Sequence, residues 1–346
     1  MRKKYKVLVT ALGGILGPSL VKALQLSETD FDIYGCDVTP QCYGQAFVQE
    51  YHQVPLASDA EYIKAIADLC KTMDVDCIIP ASDPEIQTLV RSDNNLISIP
   101  IICQQENTLR IFSDKLATAE HLDSLVILSP WADGNDREAI EQVLQQTGYP
   151  VIVKPRRSSG SRSVSKVEDQ ASLDKALKNT HEPFVQAYLD DNGGEYSVGV
   201  FRCDEFEESI AFKREIHPIN SGCSWFAELD QVPEVTQYAM QVARSIGAMG
   251  SINVQLRLTR EGPRLLEVNP RFSSLVAARA ACGFMDAEWS ILNALGINIS
   301  SPQQPYKPIK FHRFLHEVVD YGDGTWVYQD GLHICTQMRM MNKKKK

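Results

Sequence analysis

The residues best suited to chemistry form one short run, Glu267-Val268-Asn269-Pro270-Arg271, which follows two leucines. In a strand that ends at Pro270, side chains alternate between faces, so Glu267 and Asn269 are expected to share one face. Their oxygen atoms are ligands that Mg²⁺ accepts, and Arg271 lies close enough in sequence to hold an anion beside such a metal. The run therefore predicts a site for a metal-bound nucleotide. A surface strand with solvated polar side chains is the alternative.

A hairpin is expected to bring a third oxygen ligand to this face. Residues 251–257 and 264–269 are both rich in apolar positions, and the turn Arg260-Glu261-Gly262 separates them. If the two segments pair as antiparallel strands, Gln255 lies across from Glu267 and Asn269 on the neighbouring strand and can face the same side. Three oxygen ligands then converge from two neighbouring strands.

The composition predicts a globular protein. Its 346 residues are 44% hydrophobic and 23% charged, which suits two or three subdomains and excludes a disordered chain or a coiled coil. No stretch approaches the roughly 20 apolar residues of a membrane span, and no export signal is evident. Nine cysteines without a CxxC pair indicate reduced thiols, and a net charge of −9 argues against nucleic acid. We therefore expect a cytoplasmic protein that binds neither nucleic acid nor a membrane.

The first hundred residues predict a small parallel α/β domain. A strand at 6–10 leads into the turn Gly13-Gly14-Ile15-Leu16-Gly17 and then a helix, and a second strand ends at Asp37, 20 residues after Gly17. This pattern is similar to a dinucleotide fingerprint, which would make NAD the ligand. The glycine order is GGxxG rather than GxGxxG, so close packing of strand and helix is the competing interpretation.

The rest of this domain supplies two weaker site candidates. A capping box predicts a helix that starts near Ser58, a buried strand is expected at 75–80, and an edge strand at 97–102. The segment 81–85 is expected to be a loop at the carboxyl end of the sheet, where open α/β sheets bind ligands. Asp83 and Glu85 are therefore candidate site residues.

The middle of the chain predicts a cationic loop between strands. Helices are expected at 113–122 and 136–146, then a strand at 151–155 with Lys154 near its end, and then the hydroxyl-rich basic loop 156–164. Such a loop suits a lid over phosphates, although it is not a P-loop, and an ordinary basic hairpin turn is the alternative. We also expect strands at 183–189, 195–200, 208–212 and 213–215, and a helix at 234–246.

Taken in order, these pieces resemble the ATP-grasp superfamily, most closely the small carboxylate ligases related to the large subunit of carbamoyl phosphate synthetase and to the ligase of pyrrolysine biosynthesis. The resemblance covers nearly the whole chain. Its elements are the glycine turn, 113–118 with Lys115, 151–155 with the following loop, 184–189, 195–198, 253–255 and 267–272.

The resemblance implies an α/β protein whose second half is α+β. An N-terminal parallel α/β domain (1–109) precedes an ATP-grasp fold made of a small lobe (110–185) and a large lobe (186–300), and a C-terminal hairpin (301–346) closes the structure. It also implies ATP and Mg²⁺ as cofactors. A homodimer is a further expectation, by analogy with small ligases of this kind.

The resemblance also implies a role for each candidate residue. Lys115 and Lys154 would bind phosphates, and Arg271 would act with Lys154 as a catalytic residue on the transferred phosphoryl group. Ser159, Gly160 and Ser161 would belong to a lid over the phosphates, and Gln186, Tyr188 and Leu189 to a hinge beside adenine. Glu195 would contact the ribose, and Leu266 would pack under the base. The metal ligands would be Gln255, Glu267 and Asn269.

Three positions depart from the family pattern. Ala187 stands where many relatives have a glutamate at the hinge. Gln255 replaces an acid, so one ligand charge is lost and a second Mg²⁺ would bind more weakly. Ser273-Ser274 replaces serine-glycine, which changes the acceptor pocket and makes Ser274 a substrate candidate. Arg214 is a second substrate candidate, as a carboxylate clamp, with a surface ion pair to a glutamate as its alternative.

The expected reaction is activation of a small carboxylate by ATP as an acyl phosphate, which an amine attacks to form an amide with release of ADP and phosphate. Phosphorylation of bicarbonate, as in carbamoyl phosphate synthesis, is the alternative, and an ATP-binding protein without turnover is another. An NAD-dependent reductase rests on the glycine turn alone. His312 and His316 could hold zinc on a helix, but their segment is equally compatible with a strand.

Overall fold

The computed structural model describes residues 3–91, 96–157, 163–190, 192–216, 223–313, 318–320 and 326–328. The chain divides into two compact units, Met1–Arg313 and Phe314–Lys346. In the second unit the strands Val318–Asp320 and Trp326–Tyr328 pair antiparallel, while the predicted turn at 321–324 lies outside the described residues. In the described part of the chain, no helix combines the length and apolar character needed to cross a membrane.

The N-terminal domain is a parallel sheet with helices on both faces. Its strands β1 (Tyr5–Val9), β2 (Phe31–Asp37), β3 (Glu50–Gln53) and β4 (Cys77–Ile79) lie in the order β3-β2-β1-β4. Its helices are α1 (Leu16–Gln25), α2 (Tyr62–Met73) and α3 (Asp83–Arg91). Val7 and Val9 pack in one core with α1, whereas Leu8 packs in another with α2. Burial of both faces explains why β1 is continuously apolar, as parallel strands usually are.

Three local predictions for this domain are wrong. Helix α2 begins at Tyr62 rather than near Ser58, because residues 57–61 form a turn in which Asp59 accepts hydrogen bonds from the backbone of Glu61 and Tyr62. The predicted strand 97–102 is a single parallel bridge between Ile78 and Ile101. The predicted loop 81–85 is confined to residues 81 and 82, because α3 begins at Asp83.

The small lobe is an antiparallel sheet covered by helices. Helix α4 (Glu106–Phe112) leads to α5 (Lys115–Leu122), and the Asp114 side chain caps α5 by accepting hydrogen bonds from the backbone of Leu116 and Ala117. The sheet has the order β5-β8-β6-β7, with β5 (Trp131–Asp133), β6 (Val151–Pro155), β7 (Ser165–Val167) and β8 (Pro183–Ala187). Helices α6 (Arg137–Thr147) and α7 (Gln170–Asn179) share its core.

The large lobe is a six-stranded antiparallel sheet in the order β13-β12-β9-β10-β11-β14. Its strands are β9 (Glu195–Arg202), β10 (Glu207–Ile216), β11 (Ser224–Leu229), β12 (Gly250–Thr259), β13 (Gly262–Asn269) and β14 (Lys310–His312). Its helices are α8 (Pro233–Ser245), α9 (Val276–Cys282) and α10 (Asp286–Ala294). The two strands expected at 208–212 and 213–215 are one strand, β10. His312 ends a strand rather than lying on a helix, and His316 lies outside the described residues.

A β-bulge interrupts the hairpin of β12 and β13. Gln255 lies opposite Glu267 as predicted, but the next pair is Leu256 with Leu265, so Leu266 is an extra residue. Because of this extra residue, Leu265 and Val268 both enter the core. Leu266, by contrast, lines the cleft between the lobes instead of the core.

Candidate active site

A cleft of about 250 Å³ lies between the sheets of the small and large lobes. It collects predicted nucleotide, metal and substrate residues, namely Lys115, Lys154, Gln186, Tyr188, Leu189, Glu195, Arg214, Gln255, Leu266 and Glu267. The predicted lid residues Ser159, Gly160 and Ser161 lie outside the described residues, although Val164, at the end of that loop, also lines the cleft.

Lys154 is buried in the floor of this cleft. Its ammonium donates hydrogen bonds to Gln186 Oε1 at 2.8 Å and to the carbonyl oxygen of Leu266 at 3.0 Å. Gln186 in turn donates to Ser129 Oγ at 2.7 Å and to the carbonyl oxygen of Leu265 at 3.0 Å. The bulge in β13 gives the small lobe access to two consecutive carbonyls. Lys154 and Gln186 therefore tie the two lobes together.

Burial and charge set the protonation of the two lysines. Burial, followed by the positive charge of Lys115, lowers the pKa of Lys154 to about 8, against the opposing attraction of Glu267 and Glu195. Burial also lowers the pKa of Lys115, whose ammonium lies 4.0 Å from Glu267 Oε2. Because burial disfavours the charged form of both lysines, an incoming anion would stabilise their ammonium groups.

A second group of charges lies on neighbouring strands of the large sheet. Arg214 donates to Glu195 Oε1 from Nε at 3.0 Å and from Nη2 at 2.6 Å, and Arg257 donates to Glu195 Oε2 at 2.9 Å. Burial alone would raise the pKa of Glu195, but Arg214 and then Arg257 outweigh burial and lower it. Arg214 thus forms an ion pair with a glutamate inside the cleft. Its contacts do not support the predicted carboxylate clamp.

The ligand set at this end of the cleft fits one Mg²⁺. Glu267 and Asn269 are neighbours, with Asn269 Nδ2 3.3 Å from Glu267 Oε1, and both offer hard oxygen atoms. Gln255 lies opposite Glu267, but its Oε1 already accepts a 2.7 Å hydrogen bond from Arg214 Nη2. Within the described residues, no cluster of three or more His, Cys, Asp or Glu could hold a metal ion. A second ion at Gln255 does not fit.

Arg271 connects the end of β13 to the N-terminal domain. Its Nε donates to Asp83 Oδ1 at 2.5 Å and its Nη2 to Asp83 Oδ2 at 3.1 Å. Neither Arg271 nor Asp83 lines the cleft, so the site role of Asp83 stays a prediction, supported by its contact with Arg271. Glu85 lies elsewhere: its buried carboxyl accepts hydrogen bonds from Thr10, Tyr62 and Ser82 and acts within the N-terminal core.

Comparison with known protein families separates the N-terminal domain from the two lobes, as the fold does. Residues 112–274 match the sequence model of the ATP-grasp domain, and residues 8–104 match that of the PylC-like N-terminal domain. The chain carries an ATP-grasp domain behind a PylC-like N-terminal domain.

Sequence relatives cover parts of the chain. The carbamoyl phosphate synthase large chain of Methanocorpusculum labreanum is 31% identical over 173 residues, which are 45% of this chain and 16% of the relative. The D-alanine–D-alanine ligase of Nocardia farcinica is 28% identical over 189 residues, 47% of this chain and 51% of the relative. The chain therefore spans about half or less of the length of these relatives.

Solved structures share the fold of this chain over most of its length. N5-carboxyaminoimidazole synthetase from Staphylococcus aureus, complexed with ADP, has a TM-score of 0.70 at 17% identity and covers 99% of this chain and 97% of its own. The biotin carboxylase domain of Hydrogenobacter thermophilus 2-oxoglutarate carboxylase has a TM-score of 0.69 at 15% identity, covering 87% and 72%. L-amino acid ligase from Bacillus licheniformis has a TM-score of 0.65 at 15% identity, covering 89% and 75%.

A second cavity of about 250 Å³ adjoins the cleft of the ATP-grasp domain. The two cavities share Lys115, Gln186, Leu266 and Glu267. The second one also contains polar groups from the N-terminal domain, the small lobe and β13, and apolar groups from the small lobe and β13: Asp83, Gln87, Arg157, Asn269, Phe112, Leu128, Trp131, Phe184 and Leu265. Its aromatic wall is the stacked pair Trp131 and Phe184, whose ring centroids are 6.1 Å apart.

Sequence reasoning missed this aromatic wall and placed Ser274 too near the chemistry. Trp131 and Phe184 lie 53 positions apart in the sequence and meet only because β5 pairs with β8. No local motif marks them. Ser274 lines neither cavity, and its carbonyl oxygen accepts a hydrogen bond from Arg313.

Proposed function

We propose that this protein is an ATP-dependent ligase that activates a small carboxylate as an acyl phosphate. An amine attacks the acyl carbon, an amide forms, and ADP and phosphate are released. The observation that supports this proposal is the convergence of Lys115 and Lys154 with Glu267, the neighbour of Asn269, inside an ATP-grasp domain. The names of the relatives, which include an amino acid ligase and a D-alanine–D-alanine ligase, support the same class of reaction.

In this proposal the nucleotide lies in the cleft between the sheets. The backbone of Tyr188 and Leu189 lies beside the adenine, Glu195 accepts hydrogen bonds from the ribose, and Leu266 packs under the base. Lys115 and Lys154 neutralise the phosphates, and this role suits two lysines whose pKa burial lowers and whose charged form an anion would stabilise. Mg²⁺ held by Glu267 and Asn269 would add positive charge at the phosphates.

Arg271 is proposed to bind the phosphoryl group as it moves to the carboxylate. Its guanidinium contacts the N-terminal domain, where Asp83, a residue that lines the second cavity, accepts hydrogen bonds from Nε and Nη2. A guanidinium fixed before the reaction stabilises developing charge without reorganisation. Asp83 is then a positioning residue for Arg271.

The second cavity is proposed to hold the organic part of the carboxylate substrate. Its lining includes the charged residues Lys115 and Glu267 as well as the rings of Trp131 and Phe184. A small molecule with an apolar body and a charged head would fit these two kinds of wall. The substrate partners of the protein are thus a small carboxylate and a small amine.

ADP release by the purified protein with Mg-ATP tests the reaction, against a panel of amino acids and sugar acids, each with and without an added amine. We expect release only when a carboxylate and an amine are both present, and loss of release in Lys154→Met and Glu267→Gln. Full release by either variant would contradict the proposal. Release with bicarbonate alone would favour carbamoyl-phosphate-like activity, and tight ATP binding without release on any arm would favour a non-catalytic protein.

We also propose that the protein works in the cytoplasm as a homodimer. The related biotin carboxylase domain was solved as a dimer. Light scattering after size-exclusion chromatography is expected to give twice the chain mass of 38.7 kDa. A monomer mass across the working concentration range would refute this part.

A further inference from the structure

We infer that the guanidinium of Arg214 takes the place of a second divalent ion, so that this protein binds its nucleotide with a single Mg²⁺. The inference rests on the proposed function, since it concerns the nucleotide of that reaction. It assigns Arg214 a binding role in the cleft, distinct from the substrate clamp that the sequence predicted.

The position of Gln255 shows where a second metal ligand would have to lie. Across the β12–β13 hairpin Gln255 pairs with Glu267, so a carboxylate at 255 would join Glu267 in a site between two acids. The residue is a neutral amide instead. Its only strong acceptor atom, Oε1, faces Arg214 Nη2 at 2.7 Å. A divalent ion on that oxygen would have to displace the guanidinium or lie against its positive charge.

Arg214 is not free to move away. It lies on β10 directly opposite Glu195 on β9, its side chain is 6% exposed, and Glu195 accepts two of its hydrogen bonds. Swinging the guanidinium out would leave part of the charge of a buried carboxylate uncompensated, which is costly. Arg214 is therefore a fixed cation of the cleft.

The guanidinium still has a donor for a ligand. Nε and Nη2 are used by Glu195 and Gln255, whereas Nη1 has no hydrogen-bond partner among the described residues. A planar guanidinium presents its remaining donors in a fixed direction, which suits a phosphate oxygen. Arg214 lines the cleft, so this donor is available to the nucleotide.

The summed formal charge of the cleft residues is consistent with one bound Mg²⁺ per ATP. Its lining contains four cations (Lys115, Lys154, Arg214, Arg257) and two carboxylates (Glu195, Glu267), a formal charge of +2. One Mg²⁺ brings the total to +4, which balances the four negative charges of ATP. A second Mg²⁺ would leave the closed site with an excess of positive charge, which is unfavourable in a medium of low dielectric constant.

Mn²⁺ binding tests the inference without relying on turnover. Mn²⁺ is titrated into the protein with a non-hydrolysable ATP analogue, and bound ions are counted by electron paramagnetic resonance, with nucleotide binding followed separately by calorimetry. We expect one Mn²⁺ per bound nucleotide in the wild-type protein. We expect Gln255→Ala to change Mn²⁺ affinity by no more than about threefold, and Glu267→Gln to weaken it by more than tenfold.

The double variant Arg214→Met/Gln255→Glu removes the guanidinium and supplies a carboxylate. We expect it to bind two Mn²⁺ per nucleotide with a spin-coupled spectrum, while Arg214→Lys, which keeps the charge, stays at one. Two ions in the wild-type protein, a tenfold loss of affinity in Gln255→Ala, or one ion in a folded, nucleotide-binding double variant would overturn the inference. Failure of the wild-type protein to bind nucleotide would overturn the proposed function and this inference with it.

Discussion

The glycine turn of the N-terminal domain and the ATP-grasp cleft differ in how their charged groups are paired. In the N-terminal domain, Asp37 accepts hydrogen bonds from the backbone of Gly13 at 2.7 Å and from the backbone and hydroxyl of Thr39. In the ATP-grasp cleft, the cations outnumber the carboxylates. In the turn, a carboxylate of the chain accepts the hydrogen bond of the Gly13 backbone, whereas the cleft holds an excess of cations that an external anion can neutralise.

Close packing requires glycine at Gly17 in the N-terminal turn and at Gly44 in a neighbouring segment. A Cβ on Gly17 would lie 2.6 Å from the carbonyl oxygen of Ala11, and a Cβ on Gly44 would lie 2.4 Å from that of Leu12. Close approach of strand, helix and neighbouring turn therefore explains these glycines without a dinucleotide. The difference teaches that a glycine pattern predicts a nucleotide site only where its donors remain unoccupied.

The largest expected effect comes from breaking the cleft at Lys154. Lys154→Met should lower ADP release by about 10³-fold, because a buried cation directed at the phosphates is lost where electrostatic stabilisation is strongest. Single-turnover kinetics with saturating Mg-ATP would measure it. Lys178→Met is the matched control, since Lys178 is an exposed lysine on α7 of the same lobe. A similar loss of ADP release in both variants would show that Lys154 has no specific role in the reaction.

A smaller effect is expected where the two domains meet at Arg271 and Asp83. Arg271→Ala should lower kcat by about 10²-fold, and Asp83→Asn by about tenfold, because the amide retains one acceptor for the guanidinium. The affinity for ADP should change little in either variant, since neither residue lies in the nucleotide cleft. Calorimetry with ADP beside steady-state kinetics would separate the two quantities. A parallel loss of ADP affinity would place Arg271 on the nucleotide rather than on the transferred group.

The N-terminal turn should respond in stability rather than in nucleotide affinity. Asp37→Ala removes a carboxylate that accepts three hydrogen bonds, so the free energy of unfolding should fall by about 2–3 kcal/mol. The affinity for the ATP analogue should stay the same. Urea unfolding and calorimetry would measure both. Binding of NADH by the wild-type protein that Asp37→Ala abolishes would reverse our interpretation of the turn.

The fold and most of the cleft could be predicted because their signals are local. Strands β1, β6 and β13 have continuous or alternating apolar residues, and Lys154 and Glu267 lie within them. The bulge at Leu266 could not be predicted, since one inserted residue leaves the apolar pattern of β13 almost unchanged. The contacts of Arg271 with Asp83 and of Arg214 with Gln255 join residues 188 and 41 positions apart, so only tertiary packing reveals them.

The smallest expected effect is a pH dependence that has opposite signs for binding and for stability. The pKa of Lys154 is about 8 in the folded protein, below the ordinary lysine value of 10.5. Between these values the unfolded chain binds the proton and the folded chain does not, so stability should rise as pH increases from about 8 to 10.5. Phosphates favour the charged lysine, so nucleotide affinity should instead fall, by up to about tenfold from pH 8 to pH 9.

Calorimetry in two buffers of different ionisation enthalpy would detect this coupling as proton uptake on nucleotide binding above pH 8. Lys154→Arg is the decisive variant, because arginine stays charged throughout this range. Its nucleotide affinity should depend less on pH, with the remainder due to Lys115, whose pKa burial also lowers. An affinity that is constant between pH 7 and pH 9 in the wild-type protein would mean that Lys154 does not contact the phosphates. The contrast between a turn that pairs with a carboxylate of the chain and a cleft with an excess of cations would then lose its central residue.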